Sequence, residues 1–296
     1  MAGTMSLEKT TAVPPATGFR GWLRRRFGRG GPIIPVIRLQ GIIAADLRPG
    51  RININSVAPL LQKAFAMKAA PAVVVIINSP GGSPVQSRLI AKRIRDLADE
   101  NGKRVLVFVE DAAASGGYFI AAAGDEIIAD PSSIVGSIGV IYAGFGFPQA
   151  MERLGVERRV YTAGRNKSTL DPFLPAKESD IERIKANELD IHQVFIGFVK
   201  ARRGQKLKAD DDTLFTGEWW SGLRGLELGL VDSLGDTHQV LRERFGPDVR
   251  IRPLTQKRPF FSLPRFGILG DAGAGGLAAD ALAAIEERAL WSRFGL

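Results

Sequence analysis

The stretch Asp111-Ala-Ala-Ala-Ser-Gly-Gly-Tyr118 joins two different patterns of apolar residues. Before it, Arg104-Val-Leu-Val-Phe-Val109 is an uninterrupted apolar run that is typical of a buried strand. After it, Phe119-Ile-Ala-Ala-Ala123 is suited to a helix. A serine at such a strand-to-helix turn has an exposed Oγ and lies near the positive end of the helix dipole. The turn therefore indicates either a nucleophile or a closely packed junction of small residues.

A second glycine-rich turn, Asn78-Ser-Pro-Gly-Gly-Ser83, follows another apolar run, Ala72-Val-Val-Val-Ile-Ile77. Pro84 then stands at a favourable first helical position, with Ser83 as the cap, and the predicted helix ends at Gly102. The chain order is thus strand, glycine-rich turn, helix, strand, serine turn, helix. This order predicts an α/β fold with parallel strands joined by crossover helices.

Beyond the serine turn, short strands are predicted at residues 126–129, 134–141 and 158–162. A long helix is predicted from about residue 178 to residue 202, and a last core helix at residues 237–245. The apolar side of the long helix is predicted to consist of Ile181, Ile184, Leu189, Ile191, Val194, Phe195, Phe198 and Val199.

The two glycine-bearing turns predict a catalytic site, because parallel neighbouring strands bring both turns to the same edge of the sheet. Glycine lets backbone N–H groups approach a ligand oxygen closely. The amides of Gly82 and Gly116 would then form an oxyanion hole beside Ser115.

A nucleophilic serine needs a base, and the chain has two histidines, His192 and His238. Both are expected to be structural or superficial, since one falls inside the long helix and the other just after a turn. A lysine can serve instead where burial favours its neutral amine. The candidate is Lys167, with Ser168 alongside to orient it, although a loop lysine is more often a solvated charge.

Five motifs occur together and in order: Asn78-Ser-Pro-Gly-Gly-Ser83, Ala114-Ser-Gly-Gly-Tyr118, Val135-Gly-Ser-Ile-Gly-Val140, Gly164-Arg-Asn-Lys-Ser168 and Thr216-Gly…Leu228-Gly-Leu-Val-Asp232. This set resembles the signal peptide peptidase A family of serine peptidases over about residues 33–252. The resemblance implies a Clp-protease/crotonase-like α/β fold, a repeated ββα spiral core with helical C-terminal additions. It also implies Ser115 as nucleophile, Lys167 as general base and Gly82 and Gly116 as oxyanion-forming positions, with no metal and no cofactor.

The resemblance further implies a bacterial serine endopeptidase that cleaves apolar peptides such as residual signal peptides. Family members of this length form homo-oligomeric rings in which serine and lysine come from neighbouring protomers, so shared active sites are expected. Three alternatives stay open: a Clp-type Ser-His-Asp peptidase, a crotonase-type acyl-CoA enzyme, and an inactive ring that acts as a membrane-surface scaffold.

Charge is concentrated at the ends of the chain. The first forty residues carry seven basic and one acidic side chain, whereas residues 41–241 carry 24 of each. A neutral core argues against a nucleic-acid-binding domain. The domains are predicted as a disordered basic arm at 1–31, a peptidase domain at 32–254 and a tail with a helical segment at 255–296. The arm is expected to remain solvated or to touch anionic lipid. No signal peptide or membrane span is recognised, which favours a cytoplasmic or peripheral membrane location.

Overall fold

A computed structural model describes residues 30–46, 48, 50–255, 285 and 287–296. The strands are β1 (Ile33–Gln40), β2 (Ile42–Ile43), β3 (Arg51–Ile52), β4 (Ala72–Ser79), β5 (Arg104–Ala114), β6 (Glu126–Ala129), β7 (Ile134–Gly136), β8 (Trp219–Ser221), β9 (Ser233–Leu234) and β10 (Arg250–Pro253). The helices are α1 (Ile54–Phe65), α2 (Pro84–Asn101), α3 (Gly116–Ala121), α4 (Pro148–Arg153), α5 (Glu178–Arg203), α6 (Asp211–Leu214), α7 (Gly222–Leu228) and α8 (Thr237–Phe245).

The main sheet has the strand order β10-β1-β4-β5-β6-β9, and every pair along that path is parallel. The end of β5 leaves β6 and pairs with β7 instead, which in turn pairs antiparallel with β8. Strands β4 and β5 are buried along most of their length because both faces of the sheet are covered. The α/β class, with strand–helix–strand repeats and helical additions after the core, is confirmed.

The two faces of the sheet bury separate apolar clusters. On one face, α1, α2 and α3 cover the sheet with side chains that include Leu61, Ile90 and Tyr118. On the other face, Val240 and Leu241 of α8 pack on the neighbouring side chains of the same strands. Helix α2 ends at Gly102, whose φ of 58° is the left-handed cap that glycine accepts without strain.

Two strand predictions are wrong. The predicted strand at 134–141 stops at Gly136, and residues 158–162 form no strand. The part of the first predicted strand that follows Gly136 runs into residues 140–177, and residues 158–162 lie within them. We call residues 140–177 the exposed arm, because none of them is buried. A strand needs a partner for its backbone groups, and the described part of a single chain provides none here.

The basic arm predicted at residues 1–31 lies outside the described residues except for Gly30 and Gly31. Of the predicted tail at 255–296, the structure describes the first residue and part of the end, where residues 287–292 are helical. Among the described residues, no helix combines the length and the hydropathy that crossing a bilayer requires.

Candidate active site

Ser115 lies between the last residue of β5 and the first residue of α3, in a backbone conformation that serine rarely adopts. Its φ is 51° and its ψ is −120°, so the residue is held at positive φ without being glycine. The Ser115 N–H donates to the Gly136 carbonyl oxygen at 2.8 Å, which fixes the turn to β7. Although Ser115 is the N-cap of α3, its side chain makes no capping bond. The Oγ is therefore available for chemistry.

The glycine-rich turn after β4 lies directly against the serine turn. A methyl group at Gly81 would be 2.9 Å from Ser115 Cβ, and one at Gly116 would be 3.4 Å from the Gly82 amide nitrogen. The strand ends are tied together by Asn78, whose Nδ2 donates to Asp111 Oδ2 at 2.5 Å. The structure thus brings Ser115, Gly82 and Gly116 to one place, because β4 and β5 are parallel neighbours.

The amides of Gly82 and Gly116 both lack an acceptor among the described residues. The residues around Gly82 are bonded: Ile43 N–H donates to the Gly81 oxygen at 2.8 Å, and Ser83 N–H donates to the Ile43 oxygen at 2.7 Å. This pairing leaves the Gly82 N–H pointing away from its partner strand. Gly116 is the first residue of α3, where a helix has no internal acceptor for its N–H. Two N–H donors without an acceptor among the described residues, next to a hydroxyl, are an arrangement that suits an oxyanion.

Ser115 opens on an apolar cavity of about 250 Å³. Its walls come from the start of α2, from α3, from the segment after β7 and from α5. The lining residues are Gly82, Pro84, Val85, Ser87, Arg88, Ser115, Gly116, Phe119, Gly139, Val140, Ile191, Val194 and Phe195. The chemistry of the walls suits an apolar group placed next to the serine.

Lys167 is not brought to Ser115 within the chain. It is exposed and does not line the cavity, and its Nζ makes no hydrogen bond or ion pair among the described residues. Ser168 is half-buried in the same turn, and of its groups the carbonyl oxygen is bonded, to Asp171 N–H at 3.3 Å. The structure therefore separates the predicted base and its orienting residue from the predicted nucleophile.

The turn that carries Lys167 is held by the first turns of α5. Arg183 donates to Asn166 Oδ1 at 3.0 Å and to Thr169 Oγ1 at 3.4 Å. Asp180 accepts from Arg183 at 2.8 Å and from Leu170 N–H at 3.3 Å. The hydrogen bond from Arg183 is the main cause that holds the pKa of Asp180 below its usual range. Residues on both sides of Lys167 are thus anchored, while its side chain bonds to none of the residues that the structure describes.

Neither histidine joins the site. His192 Nε2 lies 2.9 Å from the Ile138 carbonyl oxygen, so one ring nitrogen is already engaged. His238 lines a different cavity, on the other face of the sheet. Within the described ranges there is also no group of three or more metal-ligating side chains close enough to hold an ion.

The cavity walls were missed by sequence reasoning. Ile191 and Val194 belong to the predicted core side of α5, but they are exposed and face the cavity instead. Val85, at 64% exposure, likewise follows the apolar pattern of α2 without entering the core. The sequence did contain a signal for these walls, because the apolar faces of α2 and α5 are wide. A helix that only packs on a sheet needs fewer apolar positions than these faces provide.

A family model described as peptidase family S49 matches residues 98–244. The chain is 32% identical over 181 residues to the putative signal peptide peptidase SppA of Enterococcus faecium, a match that covers 61% of this chain and 52% of that protein. It is 30% identical over 207 residues to the putative protease MJ0651 of Methanocaldococcus jannaschii, covering 69% of this chain and 63% of that one.

A third relative carries a different name. The chain is 54% identical over 282 residues to a protein of Brucella abortus (strain 2308) named Na(+)/H(+) antiporter NhaA. That match covers 92% of this chain but 38% of the relative, so the name describes a protein most of which lies outside the match. The chain spans less than two thirds of the length of each of these three relatives.

Among solved structures, a membrane-bound stomatin-specific protease (1510-N) overlaps with a TM-score of 0.48 at 14% identity, covering 77% of this chain and 100% of that one. The family model and the protease-named relatives agree with the resemblance stated from the motifs. The chain belongs to peptidase family S49, the family of the signal peptide peptidase A proteins.

Proposed function

We propose that the protein is a serine endopeptidase that cleaves apolar peptides through a Ser115–Lys167 dyad. The observation that carries the proposal is a Ser115 hydroxyl and two N–H groups that have no hydrogen-bond partner among the described residues, all at an apolar cavity. Family membership supports peptide-bond hydrolysis over acyl-CoA chemistry, which would use a similar pair of amides.

The reaction would proceed in two stages. The neutral amine of Lys167 takes the proton of Ser115 Oγ, and the oxygen attacks the peptide carbonyl carbon. The negative charge that develops on the carbonyl oxygen is stabilised by the N–H groups of Gly82 and Gly116. The C–N bond breaks, and the leaving amine takes the proton from the lysine. Water activated by the same lysine then hydrolyses the ester on Ser115.

The proposal requires a second copy of the chain to supply the base. A lysine is a base only as the free amine, which removal from water favours. Lys167 lies in the exposed arm, which also presents large apolar side chains to solvent, among them Phe145 at 82% and Tyr161 at 92% exposure. Apolar surface of this extent is characteristic of an interaction site. A head-to-tail assembly in which each arm reaches the next copy would cover the arm and complete every site.

Complementation between two inactive variants tests this division of the dyad. Ser115→Ala and Lys167→Ala are each expected to lose hydrolysis of a fluorogenic apolar peptide. When the two are unfolded, mixed in equal amounts and reassembled, serines of one variant meet lysines of the other. Random mixing around a ring is expected to restore about one quarter of the wild-type rate, because both partners of a site must be intact.

The matched control is a mixture of the wild type with the double variant Ser115→Ala/Lys167→Ala, which carries the same number of intact residues. If the two single variants stay inactive when mixed while this control is active, the dyad is not shared between copies. If Ser115→Ala hydrolyses the peptide at the wild-type rate, the proposed nucleophile is wrong.

We also propose that the protein works in the cytoplasm at the membrane surface. The support is the sequence Phe19-Arg-Gly-Trp-Leu-Arg-Arg-Arg-Phe27, which combines aromatic and basic residues as interfacial segments do. Co-sedimentation with vesicles containing anionic phosphatidylserine is expected for the full chain. Replacing the three consecutive arginines by glutamine should abolish it, and unchanged sedimentation would contradict the proposal.

A further inference from the structure

The cavity beside Ser115 contains one charged side chain among its described lining residues. Most of the lining residues are apolar, Phe119, Ile191 and Phe195 among them, and all but one of the others are glycines or serines. The exception is Arg88. No carboxylate of the described chain lines the cavity to balance it.

Arg88 has no partner within the part of the chain that the structure describes. It is exposed on α2 and makes no hydrogen bond or ion pair there. Two other basic residues of the helix are paired, since Lys92 lies 2.7 Å from Asp96 and Arg95 lies 2.7 Å from Asp99. The positions three and four residues from Arg88 hold Pro84, Val85, Ala91 and Lys92, none of which is acidic. The guanidinium at the cavity thus has no hydrogen-bond or ion-pair partner among the described residues.

An uncommitted guanidinium next to apolar walls attracts an anion more strongly than a charge on an open surface. Apolar walls leave less water beside a charge than an open surface does, which lowers the effective dielectric and strengthens the Coulomb attraction. The planar fork of the guanidinium matches a carboxylate with two parallel N–H···O bonds. Both effects favour a carboxylate over a neutral polar group.

We propose that Arg88 binds a carboxylate of the bound peptide, next to the apolar peptide side chain that fills the cavity. The inference rests on the proposed function, because it takes the cavity as the place where residues beside the cleaved bond are held. It changes the expected substrate from a wholly apolar peptide to an apolar peptide with an adjacent negative charge. The carboxylate comes either from a Glu or Asp side chain or from the free C-terminus of the peptide.

Matched peptides test the proposal. An apolar fluorogenic peptide is made with Glu or with Gln at each position around the scissile bond, and each is made with a free and with an amidated C-terminus. We expect wild-type kcat/KM to favour Glu over Gln about tenfold at one position, as a charge-assisted bond implies. If the amidated form instead loses about tenfold, the peptide terminus is the carboxylate that is read.

Variants assign the preference to Arg88. Arg88→Gln is expected to bring the ratio of the two kcat/KM values to about one, and Arg88→Glu to favour a Lys peptide over the Glu peptide. The control is Arg93→Gln, on the same helix but outside the cavity lining and without a partner among the described residues, which should keep the wild-type ratio. A wild-type ratio near one at every position and terminus, or a ratio that Arg88→Gln leaves unchanged, overturns the proposal.

Equilibrium binding separates this proposal from the proposed function. Fluorescence anisotropy of labelled Glu and Gln peptides on Ser115→Ala measures recognition without cleavage. If the wild type cleaves none of the peptides, the proposed function fails, and binding still decides the role of Arg88. A preference for the Glu peptide, or for the free over the amidated C-terminus, that is lost in Ser115→Ala/Arg88→Gln supports the role. Equal binding of the Glu and Gln peptides together with equal binding of the free and amidated forms contradicts it.

Discussion

Ser115 combines two properties that rarely occur at one residue, a positive φ and a helix N-cap position at which the side chain makes no capping bond. Backbone strain of this kind costs about 1–3 kcal/mol and persists only where surrounding structure imposes it. Here the Gly136 carbonyl and the start of α3 hold the turn. In this strained conformation, Ser115 lines the cavity at the edge of the sheet and its hydroxyl does not cap α3.

This strain predicts an unusual order of stability among variants of Ser115. Ser115→Gly removes the strain at φ 51°, whereas Ser115→Ala keeps it. After allowing for the greater freedom of glycine in the unfolded chain, we expect Ser115→Gly to be more stable than Ser115→Ala by about 1 kcal/mol. Urea unfolding of the two variants measures the difference. A less stable glycine variant would show that the turn is unstrained.

At the residue scale, the positions of the two glycine-bearing turns, one of which is the serine turn, could be predicted from the sequence. Small residues after an apolar run signal such turns, and parallel strands place them together. The conformation of Ser115 could not be predicted, because it depends on β7, which reaches the turn from further along the chain. The roles of Ser115, Lys167, Gly82, Gly116 and Ser168 remain proposals.

Among the elements, α5 has two functions that its periodicity does not separate. Phe195 and Val199 are buried in the core, whereas Ile191 and Val194 line the cavity and Leu189 is 60% exposed. Apolar spacing identifies a helix face that avoids water, but it does not say whether the core, a substrate or another copy covers that face. The strand prediction at residues 158–162 is wrong for a similar reason, since the residue pattern does not show whether a neighbouring strand is available within the chain.

The first turns of α5 also position the turn that carries Lys167. Arg183→Gln removes the bonds that hold Asn166 and Thr169 on either side of the lysine. Misplacing a catalytic group by about 1 Å can cost up to a hundredfold, so we expect kcat to fall at least about tenfold. Peptide hydrolysis and the urea midpoint should be measured together, and the midpoint should change little.

The matched control is Lys185→Gln, on the same helix, where the lysine is exposed and makes no bond among the described residues. It should keep the wild-type kcat. An Arg183→Gln variant that is as active as this control would mean that the turn does not depend on α5.

On the scale of the whole molecule, Asp232 links the sheet to the end of α5. It accepts from Ile127 N–H at 2.8 Å, from Arg203 at 2.7 Å and from Lys206 at 2.8 Å. Burial alone would raise the pKa of Asp232, but the hydrogen bonds from Arg203 and Lys206 outweigh burial and hold that pKa below the usual aspartate value. The Arg203 side chain is 2% exposed, so its charge depends on this partner.

The lowered pKa of Asp232 predicts how stability depends on pH. The carboxylate stabilises the fold above its unfolded-state pKa of about 4, and this contribution is lost as pH falls through the lower folded-state value. Asp232→Asn leaves the buried charge of Arg203 without its carboxylate partner. We expect this substitution to lower the free energy of unfolding at pH 7 by about 3 kcal/mol. Urea unfolding at pH 7 and at acid pH should show the gap between variant and wild type narrowing with acid. A gap that is constant with pH would contradict the prediction.

Within one chain, Lys167 lies outside the cavity that Ser115 lines, and this separation has a consequence for when the protein becomes active. Under the proposed division of the dyad, a newly synthesised chain has a serine turn and a binding cavity but no base beside them. Its ability to cut peptides begins only when copies have met, so dilute or unassembled chains are harmless to their surroundings. Assembly itself would then act as the activation step.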